Sequence, residues 1–283
     1  MLSNTTPPPF DPVAPDYDAT FTHTPVGRLL RERVWALLAR NSDGVTSSHP
    51  VTTVLELNCG TGEDAIRMAR QGWQVLATDI SPAMVEVAKR KVQAAGLEDR
   101  VEVRVCGLEE LSRLHDRKFD LIFSNFGGMN CLSPEGMVQL SVDLPQLLAP
   151  GGRFVAVVMS RFCWWETLYF LLKGKPRAAF RRLSEKAVEA RLDEKTVVPT
   201  WYYAPGEFRR FFGATRLRNL RGFVNVQVRP IGFWLPPSYL NPFFEKRPRL
   251  LRFLALLEKY GAPACVAPAA DHYLLILKPR PNF

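Results

Sequence analysis

Glu56, Gly60, Gly62 and Asp79 have the types and spacing to hold a positively charged, nucleoside-like ligand. The apolar run Val54-Leu55-Glu56-Leu57 carries an acid near its end, and Asn58-Cys59-Gly60-Thr61-Gly62 follows as a glycine-punctuated turn. Glycine has no Cβ, so such a turn lets a ligand come close to the backbone. A dinucleotide loop uses its N–H groups to bind a pyrophosphate, and a carboxylate at position 56 would repel that group. A ligand bearing an ammonium and a sulfonium would be attracted instead. Asp79, 23 positions after Glu56, stands where an acid at a strand tip accepts hydrogen bonds from two ribose hydroxyls.

Those residues need a strand–turn–helix–strand unit to bring them together, and the chain spells one out. Residues 63–70 read as a helix closed by Gly72, and 73–78 as a second strand ending at Asp79. Ser81-Pro82 starts another helix, with serine as N-cap and proline at the first helical position, and Gly96 ends it. The alternation of strand and helix continues from 51 to 158, which implies a parallel, doubly wound α/β sheet. Ahead of it, Val26 to Ala39 has apolar residues at helical spacing, and residues 41–50 are a polar linker.

The stretch Leu55 to Asp79 resembles the glycine-rich motif and acidic strand tip of class I S-adenosylmethionine (SAM)-dependent methyltransferases. Asp16-Tyr17-Asp18 with Phe21 is similar to that family's N-terminal cover segment. Phe119 to Asn125 is similar to its fourth strand, and Leu147-Leu148-Ala149-Pro150-Gly151-Gly152-Arg153-Phe154 to the helix–turn–strand before the fifth. Together these span roughly residues 14–160. The resemblance implies a Rossmann-like, mostly parallel seven-stranded sheet in one domain over 1–283. Its parts are an arm and cover helix (1–44), a SAM-binding core (45–160), a helical lid after the fifth strand (161–200), a second lid insertion before the last strand (230–268), and the rest of the sheet (201–229 and 269–283). It implies SAM as cofactor, S-adenosylhomocysteine as product, and a cofactor cleft lined by Tyr17, Glu56, Asn58, Cys59, Gly60, Gly62, Asp79, Ile80, Met84, Gly107, Leu108, Asn125 and Phe126. Two positions depart from the pattern. Asn58 replaces the first loop glycine, a substitution that asparagine's tolerance of left-handed backbone angles permits. Gly107 stands where an aspartate often holds the adenine amino group, leaving that contact to backbone near Leu108.

Composition narrows the function further. No stretch is apolar and long enough to span a membrane, and the proline-rich start lacks the basic-then-apolar pattern of a leader. Five scattered cysteines without Cys-x-x-Cys spacing suit a reducing cytoplasm and no metal site. Charge is uneven: 161–260 holds 20 Lys+Arg against 8 Asp+Glu, while the remainder holds 17 against 20. A basic C-terminal half points to an anionic partner or to a solvated surface.

Methyl transfer from a sulfonium needs alignment and exclusion of water more than acid–base chemistry. A base is required only for a hydroxyl or protonated amine acceptor. The candidates are His272 beside Asp271 at the start of the last strand, His23 after the Tyr17 segment, and Asn130 after Gly127-Gly128-Met129. His49 and His115 lie in polar connectors. Trp164, Trp165, Tyr202 and Tyr203 are candidate substrate contacts in the lid, where 162–172 reads as an apolar helix and 177–192 as a basic one. The leading expectation is a small-molecule methyltransferase for an anionic, aromatic or lipophilic acceptor. An RNA methyltransferase, a membrane-associated enzyme of lipid or quinone precursors, and a non-catalytic SAM-binding protein are the alternatives; peripheral membrane contact fits the basic lid, and nucleic acid lacks a recognisable binding motif.

Overall fold

The structure is a computed structural model that describes residues 8–40, 52–193, 196–213 and 222–280. A short π-helical turn, Asp18–Thr22, leads into α1 (Pro25–Arg40), whose buried Val26, Leu30, Val34 and Leu37 follow the helical period read from the sequence. The core then alternates: β1 (Thr53–Leu57), α2 (Glu63–Arg70), β2 (Gln74–Asp79), α3 (Pro82–Ala94), β3 (Val101–Val105), β4 (Phe119–Ser124), α4 (Pro134–Leu147) and β5 (Leu148–Met159). Boundary chemistry matches the signals in the sequence. Ser81 Oγ accepts the Met84 N–H with Pro82 at the first position of α3, and Gly72 and Gly96 take left-handed angles just past their helices.

The central sheet runs β3-β2-β1-β4-β5-β9-β8. Strands β1 to β5 pair in parallel, and β9 (His272–Pro279) pairs antiparallel with β5 and with β8 (Phe223–Ile231). The order reverses between β1 and β4, which places the C-terminal ends of β1, β2 and β4 around a topological switch point, where open α/β sheets bind ligands. Two apolar layers cover the faces, one under α1 and α2, the other under α4 and α7 (Pro205–Gly213). The Pro150-Gly151-Gly152 turn is held by space: a Cβ on Gly152 would come within 2.9 Å of the Phe119 and Ala149 carbonyl oxygens.

The first insertion departs from expectation. Trp164–Leu172 is a helix, α5, as read, but the basic stretch after it is not. It divides into α6 (Pro176–Ala179), a 3-10 turn at Arg181–Leu183 and a hairpin of β6 (Val188–Arg191) with β7 (Val197–Thr200). β-branched residues in β7 and alternating burial along both strands outweighed a charge pattern that suits either structure. The second insertion carries α8 (Asn241–Glu245) and α9 (Pro248–Tyr260). The sequence places a sixth strand within 215–229; β8 supplies it, residues 214–221 lie outside the described residues, and so does the 41–50 linker with His49. Among the described residues, no helix is long and apolar enough to cross a membrane.

Candidate functional site

Three left-handed residues shape the turn after β1: Asn58 at φ +47°, Gly60 at +54° and Gly62 at +76°. Asn58 has a structural task besides tolerating that angle. Its Nδ2 donates to the Asn125 carbonyl at 2.9 Å and its Oδ1 accepts from Ser124 Oγ at 2.7 Å, which ties the end of β1 to the end of β4. A Cβ on Gly128 would lie 2.0 Å from the Asn58 side chain, so Gly128 makes room for it. Beyond Gly60 there is open space where a Cβ would sit.

Glu56 is 2% exposed. Burial, with Asp64 adding, pushes its carboxyl well above the usual range, and among the described residues its Oε2 has no hydrogen-bond partner. Asp79 is better satisfied: Oδ2 accepts the Gly60 N–H at 2.8 Å and Oδ1 the Ser81 N–H at 2.9 Å. Burial raises its carboxyl too, against those two donors. Two buried acids thus stand at adjacent strand ends with a glycine turn between them.

The N-terminal arm crosses this turn. Asp11 accepts from Ser81 Oγ and the Ala83 N–H, and Asp18 accepts from Thr61 Oγ1 at 2.6 Å and pairs with Lys91 at 2.6 Å. Between those anchors, burial pushes the Tyr17 phenol up to about 12, with Arg31 opposing and Asp79 assisting. Asp18, His23 and Glu63 converge as a metal set would, but the Lys91 ammonium already sits on both carboxylates.

Sequence reasoning missed a buried clamp from α1. Asp64, at the start of α2, accepts from Trp35 Nε1 at 2.7 Å and Asn125 Nδ2 at 2.8 Å, and pairs with Arg31. Burial alone would raise the Asp64 carboxyl; Arg31 and these donors bring it below the usual value. The Arg31 guanidinium also lies 5.4 Å from the centre of the Phe126 ring. Phe126 is itself left-handed, at φ +40°, and its ring meets His272 edge-on at 5.4 Å.

His272 is the catalytic candidate that the structure brings to the mouth of the site. It is 8% exposed, and its Nδ1 lies 3.1 Å from Asp271 Oδ2, an ion-pair contact out of line for a hydrogen bond. Behind it is a second network that the sequence did not reveal. Arg182, from the first insertion, donates to Asp271 Oδ1 at 2.7 Å, to the Asp271 carbonyl at 3.1 Å and to Glu166 at 2.7 Å. Burial opposes the Asp271 charge, but His272 and Arg182 overcome it and hold that carboxyl far below the usual range.

Other candidates fall elsewhere. Asn130 is fully buried and committed: Nδ2 donates to the Trp201 and Met159 carbonyls and Oδ1 accepts the Met159 N–H, so it staples loops and does not face an acceptor. His23 is half-exposed beside Glu63 at 3.8 Å and is not brought to His272. Trp164 and Trp165 spend their N–H groups on the Phe233 and Trp234 carbonyls and join the two insertions to each other. Tyr203 donates to the Leu132 carbonyl at 2.7 Å and is packing, whereas the Tyr202 ring lies 4.9 Å from the Arg182 guanidinium. The Gly107 N–H donates to Glu110, and Ile80, more than half exposed, leans over Gly107. Met84 is buried in the core, and Leu108 packs against the second apolar layer. Cys59, also buried, gives its N–H to the Thr78 carbonyl and so ties the turn to β2.

The sheet order, the two strand-end acids and the glycine turn between them are the arrangement of class I SAM-dependent methyltransferases, and the comparisons support that class. The methyltransferase-domain family matches residues 54–152. The demethylmenaquinone methyltransferase of Symbiobacterium thermophilum is 26% identical over 191 residues, covering 61% of this chain and 72% of that protein. The tRNA 5-carboxymethoxyuridine methyltransferase of Escherichia coli is 27% identical over 50% of this chain, which spans about half (53%) of that relative. The solved DhpI complex with S-adenosylhomocysteine shares the fold at a TM-score of 0.55 and 18% identity, covering 96% of this chain and 94% of that one.

Proposed function

We propose that this enzyme methylates a small lipophilic acceptor bearing an anionic group, with SAM held at Glu56, the Asn58–Gly62 turn and Asp79. One observation carries the donor half of that reading. Glu56 Oε2 is buried without a partner, and an ammonium is the group that would satisfy it. Asp79 retains acceptor capacity beyond its two backbone donors, enough for ribose hydroxyls. Bound SAM supplies a methyl group already activated on a sulfonium. The chain's own contribution is position and dryness: Tyr17, Phe21, Phe126 and His272 form one run of rings, with successive centroids 5.6, 5.6 and 5.4 Å apart, that walls the site. His272, in its neutral form, accepts the proton of an acceptor hydroxyl or ammonium, and the Asp271 carboxylate 3.1 Å from Nδ1 stabilises the imidazolium that results. The anionic preference rests on the charge of 161–260.

Calorimetric titration of the purified protein with SAM and with S-adenosylhomocysteine tests the donor site. Micromolar binding that Asp79→Ala abolishes supports it; a folded wild type that binds neither ligand refutes it. Acceptor screening then starts with anionic aromatic and lipophilic metabolites. Methylation of RNA, the second reading, draws on the same basic half and on the tRNA-modifying relative. It predicts an apparent affinity that falls steeply with salt, whereas transfer to a buried lipophilic acceptor does not.

A further inference from the structure

All but four of the exposed large apolar side chains among the described residues (the exceptions are Ile80, Val105, Val138 and Val224) lie in the two insertions. They are not scattered there. The inner face of α9 is fixed by Leu251 and Glu258, one heptad apart, with Leu254 and Ala255 between them against the core. Glu258 accepts the N–H groups of Gly232, Trp234 and Leu235 at 2.9, 2.7 and 3.3 Å, so the helix cannot roll. Phe253, Leu256 and Tyr260 therefore point away from the core, 55%, 58% and 73% exposed. A soluble helix turns a polar face outward; this one turns Phe253, Leu256 and Tyr260 outward among its basic side chains.

The charge around that stripe is mainly positive, with Glu245 an exposed acid at its start. Lys246, Arg247, Arg249, Arg252 and Lys259 are exposed along α9 and the turn before it, while Glu258, the acid within α9, is buried. The patch continues toward α5. Tyr239 packs on Tyr169 and Phe170 at 5.8 and 6.4 Å, Phe244 packs on Trp165, and Leu168, Leu171 and Leu172 are exposed beyond them. Lys173, Lys175 and Arg177 follow that end of α5 with no acid between them.

We propose that the outer face of α9, with the adjoining end of α5, docks on an anionic lipid bilayer and lets a lipophilic acceptor pass from the membrane to the site. Aliphatic and aromatic side chains ringed by Lys and Arg match a surface that is negative outside and apolar beneath. Nucleic acid offers no apolar layer for Leu256 or Leu172 to enter. A second copy would bring the same basic ring against itself. Docking on lipid stands independently of the methyl-transfer reading; the delivery role rests on it.

Flotation with phosphatidylcholine vesicles, with and without phosphatidylglycerol, at about 0.1 M salt tests the surface. The wild type should bind the phosphatidylglycerol vesicles and not the neutral ones. Arg249→Gln/Arg252→Gln should lower partitioning about 30-fold, and Phe253→Ser/Leu256→Ser should lower it comparably, with SAM affinity and thermal melting unchanged in both. Equal partitioning of wild type and both variants overturns the proposal. So does a dimer that Phe253→Ser/Leu256→Ser dissolves without affecting vesicle binding, or RNA binding that responds to the charge variant while vesicle binding does not occur. A failed SAM titration with intact vesicle binding would refute the donor site and leave the docking surface standing.

Discussion

Two buried arginine–aspartate pairs flank Phe126, and they differ in what they hold. Arg31 reaches from α1 to Asp64 beside the glycine turn, with Trp35 and Asn125 completing the carboxylate's partners. Arg182 reaches from the first insertion to Asp271 beside His272, with Glu166 as a second acid on the same guanidinium. In the first, every partner of the carboxylate is an orienting donor. In the second, one partner is a titratable imidazole. A cleft that binds a preformed cation needs fixed charge; a site that moves a proton needs a group able to accept one. We assign the first pair to the proposed donor site and the second to the proposed acceptor site.

Substitutions can break that division. His272→Asn should lower kcat by about 10²–10⁴ and leave the SAM dissociation constant unchanged, read by steady-state kinetics against calorimetry. An equal loss in both would put His272 on the donor side. Arg182→Met leaves buried Asp271 with His272 and buried Glu166 with Arg181 as their remaining partners, and should cost up to about 3–5 kcal/mol in chemical denaturation with the activity loss concentrated in kcat. Arg31→Met should cost a similar stability, with its functional loss in SAM affinity. If both variants lost kcat alone, the two networks would be one.

A smaller effect concerns pH. Burial raises the Glu56 carboxyl, so in the free protein it keeps a proton that the unfolded chain loses above its ordinary value of 4.5. Stability of the free form should therefore fall as pH rises above that value, through the raised folded-state range. A bound ammonium favours the carboxylate, so SAM uptake should release a proton and tighten with pH over the same window. Calorimetry in buffers of different ionisation enthalpy measures this, and Glu56→Gln should abolish the release and weaken binding about 10- to 100-fold. Smaller again, Asn130→Ala should cost about 1–3 kcal/mol of stability without a selective effect on kcat. His23→Ala should change neither kcat nor stability by more than about 0.5 kcal/mol.

The turn and caps of the proposed donor site were readable because their geometry is local. Glu56, the glycines, Asp79, Ser81 and Pro82 act through backbone geometry within a few positions, and type and order alone reveal them. The clamps were not readable, because Arg31 finds Asp64 at a separation of 33 residues and Arg182 finds Asp271 at 89. No pattern in the intervening sequence marks those pairs. Asn130 misled for the opposite reason: its position after Gly127-Gly128 suits a site residue, but burial against Trp201 and Met159 is decided by tertiary packing. In the lid, a basic run read as helix became a hairpin, since charge spacing carries little information beside the strand preference of Val197 and Val198.

The N-terminal arm has a kinetic consequence. Asp11 and Asp18 fasten it across the proposed donor cleft at both ends, one to Ser81 and Ala83, the other to Thr61 and Lys91. With a cofactor bound beneath the arm, exchange of spent for fresh would require these fastenings to open. Partly exposed ion pairs of this kind are individually weak, and loop openings of this sort take microseconds to milliseconds. Added salt, by loosening the Asp18–Lys91 fastening, would shorten the cofactor's stay.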